Sequence, residues 1–248
     1  MLKNLDKLHV DAKKIIEPYC NEMLKIHQNN ILSMLVYGSV IGIDYTPKKS
    51  NINLAIIFDN IKMQDLDKSL KLVNKGRKKK IIAPLFLTDE YMKTSSDVFP
   101  IEFLEMKENH VLIYGEDFLE KLEISKEYLR LQCEQQLKGK LTRLRQAYLE
   151  IGKNKKAIMQ LILESFSAFI PVIRNLLRIK EGTISYKKEE ILIEANEHFK
   201  IDLELFKRIL VLKSKHKIPD KAELEDIFSR YMDEIFKLAM IADEMKII

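Results

Sequence analysis

Val36-Tyr37-Gly38-Ser39-Val40, followed about a dozen residues later by Ser50-Asn51-Ile52-Asn53-Leu54-Ala55-Ile56-Ile57, is the stretch on which the reading of this chain turns. Ile31 to Tyr37 is a compact apolar run that stops at Gly38-Ser39, the pattern of a buried strand feeding a tight turn. A polar loop from Asp44 to Ser50 contains Pro47 and two lysines. Asn51 to Phe58 then reads as a second strand, dominated by Ile52, Leu54, Ile56, Ile57 and Phe58. Residues two apart on a strand face the same way, so Asn51 and Asn53 share one face at the opening of that strand.

Outward from this pair, residues 2–27 carry apolar positions at broadly helical spacing. Residues 65–79 form an amphipathic helix with Leu66, Leu70 and Val73 on one side. A third strand is expected over 81–87, a helix start at Thr88-Asp89-Glu90 with Thr88 as its cap, a fourth strand over 98–106 and a fifth over 110–114. Arg77-Lys78-Lys79-Lys80 separates helix from strand. It reads as a solvated helix end that complements the helix dipole, with phosphate contact as the alternative.

Beyond Gly115 the texture changes to helical patterns over 125–151, 155–180, 187–198, 202–214 and from Asp220 to the end. Strands and helices followed by helices alone predict an α+β fold in two modules. Residues 1–120 form a mixed sheet with flanking helices, and residues 121–248 an all-α bundle.

Composition agrees with a globular chain: 248 residues, 46% hydrophobic and 32% charged, with only 7 Gly and 6 Pro. The net charge of +5 is too modest to mark a nucleic-acid binder. Cys20 and Cys133 are far apart, and none of the five histidines has a metal-ligand spacing. Met-Leu-Lys-Asn-Leu-Asp opens the chain without a signal-peptide pattern. The apolar stretch 157–173 is interrupted by Glu164 and Pro171, and falls short of the roughly 20 residues a membrane span needs. A buried central helix, a cytoplasmic location and no membrane partner are expected.

The Gly-Ser turn and the Ser50-Asn51-Ile52-Asn53 strand opening resemble the nucleotidyltransferase superfamily, which includes polymerase-β-like enzymes, aminoglycoside nucleotidyltransferases and minimal nucleotidyltransferases. In that family a strand ends in Gly-Ser, the next opens with Ser-Asp-x-Asp, and a later strand supplies a third carboxylate. The resemblance covers about residues 32–117. It implies that Gly38 and Ser39 cradle a nucleotide's phosphates, that Ser50, Asn51 and Asn53 line the same site, and that Glu102, or Glu105, is the third acid. On an extended strand Glu102 and Glu105 point to opposite faces, so only one of them reaches the site.

The departure from the family is chemical. Asn51 and Asn53 keep the spacing of the two aspartates without their charge, and each amide offers one acceptor oxygen. Magnesium is held mainly through carboxylates and phosphates. Any Mg2+ accompanying a nucleoside triphosphate is therefore expected to be held weakly, through Glu102.

Three functions follow. The first is a non-catalytic protein that binds a nucleotide or another partner in a cleft between the modules. The second is an active nucleotidyltransferase with a repositioned acid, Asp44 with Glu102, acting on a small molecule or a protein. The third is a regulatory or structural module that dimerises through its C-terminal helices, where Leu238, Met240, Ile241 and Met245 are apolar.

Overall fold

The computed structural model describes residues 1–41, 45–47, 50–182, 185–215 and 218–247. Asp44 and His216 lie outside the described residues. The chain forms two compact units, Met1–Ile124 and Ser125–Ile248.

In the first unit, α1 (Val10–His27) precedes β1 (Ile31–Tyr37), β2 (Asn53–Phe58), α2 (Met63–Arg77), β3 (Leu85–Thr88), α3 (Asp89–Ser95), α4 (Pro100–Glu108) and β4 (His110–Gly115). The four strands make one sheet in the order β3-β2-β1-β4. β1 is antiparallel to both β2 and β4, and β2 is parallel to β3. Central placement explains why β1 and β2 are almost continuously apolar, since both faces are covered.

Strand alternation divides the core in two. Met34, Val36, Leu54, Ile56 and Phe58 pack with Ile16, Cys20 and Met23 of α1. Leu35, Ala55 and Ile57 pack with Met92, Phe103 and Met106 on the other face. By the same alternation Asn53 belongs to the second face.

Two strand expectations are corrected. Residues 98–106 are not a strand: Pro100 opens α4. Phe99, Ile101 and Phe103 alternate as in a strand, but Pro at the first helical position has its φ already set and no N–H to lose. Pro100, Phe103 and Met106, three apart, then turn a helical face inward. The third strand is also shorter than 81–87. Ile81 makes only an isolated bridge to Ile52, and pairing resumes at Leu85, after Pro84. Thr88 caps α3 as expected, accepting from the Tyr91 amide at 3.1 Å.

The second unit contains α5 (Lys126–Ile151), α6 (Lys155–Glu181), α7 (Lys188–Phe199), α8 (Leu203–Lys215) and α9 (Lys221–Glu244). α6 is long and apolar enough, by length and composition alone, to cross a membrane. Within this unit it is a core helix that packs against α5, α7, α8 and α9. Its Phe169 meets Tyr231 of α9 edge-on at 5.8 Å, and Ser165 Oγ lies 3.0 Å from the Tyr231 hydroxyl.

Candidate nucleotide site

β1 ends at Tyr37, and residues Gly38–Val40 form a 3-10 turn. Gly38 has φ +79°, the left-handed region that only glycine enters freely. Its amide donates to the Asn109 carbonyl at 3.3 Å, and its carbonyl accepts from the Ile41 amide at 3.1 Å. The Gly38 amide is thus already engaged, while the side chain of the next residue, Ser39, is exposed.

Tyr37 and Asn53 are directly opposed across β1 and β2. The Asn53 amide nitrogen lies 2.9 Å from the point a Cβ on Gly38 would occupy. The strand opening and the Gly38–Val40 turn are therefore in contact, and the residue pressed on the turn is a neutral amide. Asn51 and Ser39 are exposed. Ser50 staples the preceding loop: its hydroxyl accepts from the Thr46 amide at 3.0 Å and its amide donates to the Thr46 carbonyl at 2.9 Å.

Glu102 stands on α4, not on a strand, and so does Glu105. Three apart on a helix they are neighbours, which reverses the expectation that only one could reach the site. Both line a cleft of about 310 Å³ together with Tyr37, Gly38, Leu85 and Met106. The strand beside β2 is β3, whose sequence Leu85-Phe86-Leu87-Thr88 carries no acid. Among the described residues no group of three His, Cys, Asp or Glu side chains converges as a metal site. Two neutral amides at the opening of β2, with no acid on β3, do not fit a magnesium ion held by the sheet.

Asn109 and His110 were not legible as site residues. The His110 Nδ1 reaches the carbonyls of Met106 at 2.9 Å and Lys107 at 3.1 Å, and its Nε2 lies 2.8 Å from Asp117 Oδ2. Both ring nitrogens thus face acceptors. They lock the end of α4, and with it Asn109, whose carbonyl holds the Gly38 amide. The only signal in the sequence is the nearby Tyr114-Gly115-Glu116-Asp117.

A second constellation has the composition of a nucleophile triad. His27 Nε2 is 2.8 Å from Ser69 Oγ, and its Nδ1 is 3.6 Å from Asp65 Oδ1. Ser69 already donates to the Asp65 backbone carbonyl at 2.8 Å, so its hydroxyl accepts from His27 and cannot be deprotonated by it. All three residues are buried. Burial holds the His27 pKa below its ordinary value, partly offset by Asp65. The group is a packing device between α1 and α2.

No protein-family model and no curated protein matches the chain. Among solved structures it is similar to spectinomycin adenyltransferase AAD(9) from Enterococcus faecialis, crystallised with ATP and spectinomycin. The TM-score is 0.56 at 14% identity, covering 90% of this chain and 98% of that chain. The sheet topology and this likeness agree on the architecture: a nucleotidyltransferase-type mixed sheet with flanking helices, followed by a helical C-terminal region.

Proposed function

We propose that this chain binds a nucleoside triphosphate at the Gly38–Val40 turn and does not transfer its nucleotidyl group. In this reading residues 1–120 are the nucleotide-binding domain, residues 121–248 a helical accessory domain, and the protein acts in the cytoplasm. The observation that carries it is the contact between Asn53 and Gly38. The phosphate turn and its tight fit to β2 are retained, while the group pressed on it is an amide and β3 offers no acid.

The exposed Ser39 hydroxyl is the turn's donor for phosphate oxygens. Asn51 and Asn53 add one donor group and one acceptor each. The neighbour of like fold was crystallised with ATP and spectinomycin. That makes a nucleotide together with a small molecule the first pair of ligands to try.

Titration calorimetry with ATP, GTP, CTP and UTP, in EDTA and in Mg2+, tests the reading. At least one triphosphate is expected to bind. Gly38→Ala strains the turn and drives a methyl into the space of the Asn53 amide, so its affinity is expected to fall about tenfold. Heat from no nucleotide, or equal affinity of the variant, contradicts the assignment.

A second reading rests on Glu102 and Glu105, which put two carboxylates on one helical face beside Gly38. They would serve an active transferase in place of the strand acids. Pyrophosphate release from ATP that is abolished by Glu102→Gln with Glu105→Gln would favour it.

A further inference from the structure

Lys80 is one of four non-glycine residues at positive φ among the described residues, with Asn4, Gln28 and Lys200. Its φ is +67°, a left-handed conformation that glycine adopts without cost and a lysine does not. It sits where α2 unwinds: the Lys80 amide donates to Arg77 and the Ile81 amide reaches back to Gly76 at 3.0 Å. Helices commonly end on one such residue, and glycine is the usual choice. An outlier of this kind points to a role for the side chain that is kept there.

Its position says what that role is. The Lys80 carbonyl accepts from the Ile52 amide at 2.9 Å, and the Ile82 amide donates to the Ile52 carbonyl at 3.0 Å. Lys80 is therefore docked against the Asn51-Ile52-Asn53 segment. Ile52 and Ile81 both turn into the core on the α1 side. The residues that precede each of them, Asn51 and Lys80, are both exposed. Arg77, Lys78 and Lys79, immediately before it, are exposed as well.

We infer that Lys80 replaces the missing metal. Resting on the nucleotide reading above, the inference is that the ligand is a metal-free nucleoside triphosphate whose polyphosphate charge is offset in part by the Lys80 ammonium at the Asn51–Asn53 edge. Two aspartates at those positions would repel a bare triphosphate and require a divalent cation between them. Two amides do not repel it, and a nearby ammonium supplies positive charge against the triphosphate and the Glu102 and Glu105 carboxylates that line the cleft beside Gly38. No bond is made or broken.

The test is ATP binding by calorimetry, in EDTA and in excess Mg2+, on the wild-type chain, Lys80→Gly and Gly38→Ala. Wild type is expected to bind ATP in EDTA at least as tightly as in Mg2+. Lys80→Gly is expected to unfold at a temperature no lower than wild type, because glycine relieves the left-handed strain. Its ATP affinity is expected to fall about tenfold or more, the worth of a charged hydrogen bond, while adenosine binding changes little. Binding that requires Mg2+, or an ATP affinity unchanged in Lys80→Gly, overturns the inference. If ATP binds and only Gly38→Ala weakens it, the nucleotide reading stands and the role of Lys80 falls. If ATP does not bind at all, both fall.

Discussion

Gly115→Ala is expected to cost the N-terminal unit more than about 3 kcal/mol, the largest loss among the described glycines. Gly115 ends β4 at φ +74°, opposite Ser33 of the central strand. A Cβ there would lie 1.8 Å from the Leu32 carbonyl oxygen and 2.8 Å from its carbon. Those atoms belong to β1, which is hydrogen-bonded on both sides and cannot move without opening the sheet. The left-handed φ alone costs about 1–2 kcal/mol, and backbone displacement adds about 1–3.

Gly38→Ala is the matched control, because its φ is +79° and the nearest obstacle is a side-chain nitrogen that can swing away. Urea unfolding of the two variants separates the clash from the conformational strain. A Gly115→Ala loss within about 1 kcal/mol of Gly38→Ala would mean that β1 and β4 are less tightly apposed than described.

Asn51→Asp combined with Asn53→Asp is expected to invert the metal dependence of nucleotide binding. The two carboxylates would stand about 7 Å apart at the opening of β2, at 3.3 Å per residue. Without a cation they repel each other and the triphosphate, so ATP binding in EDTA is expected to fall at least about tenfold. With Mg2+ they gain a shared counter-ion, and binding is expected to recover to or beyond the wild-type level. Equilibrium dialysis of ATP with and without the metal reads both changes. Equal affinity of the double variant and wild type in EDTA would mean that Asn51 and Asn53 do not face the polyphosphate.

The turn and the paired strands were legible because both strands are buried and their apolar runs are unbroken. Gly38-Ser39 and the two asparagines sit at strand ends, where a change of texture marks the boundary. The α5 to α9 helices were legible for the same reason, with caps such as Asn154 and Asp220 at their starts. α4 was not legible because a nine-residue helix offers only about two and a half turns, and the alternating Phe99, Ile101 and Phe103 mimic a strand. Glu102, expected as a strand acid, therefore stands on a helix, and β3, which flanks β2 on the side away from β1, carries Leu85-Phe86-Leu87-Thr88. The docking of Lys80 on Ile52 was invisible for another reason. It depends on an isolated parallel bridge between segments about thirty residues apart, and local pattern carries no information about such a pairing.

A nucleotide site that survives where the chemistry does not can be tested on both halves in one sample. The wild-type chain is incubated with ATP and Mg2+, and bound nucleotide and released pyrophosphate are measured together over time. The prediction is ATP bound at the Gly38 turn and recovered intact, with no pyrophosphate above the protein-free control. Pyrophosphate that accumulates with time, or the absence of bound ATP, would contradict it.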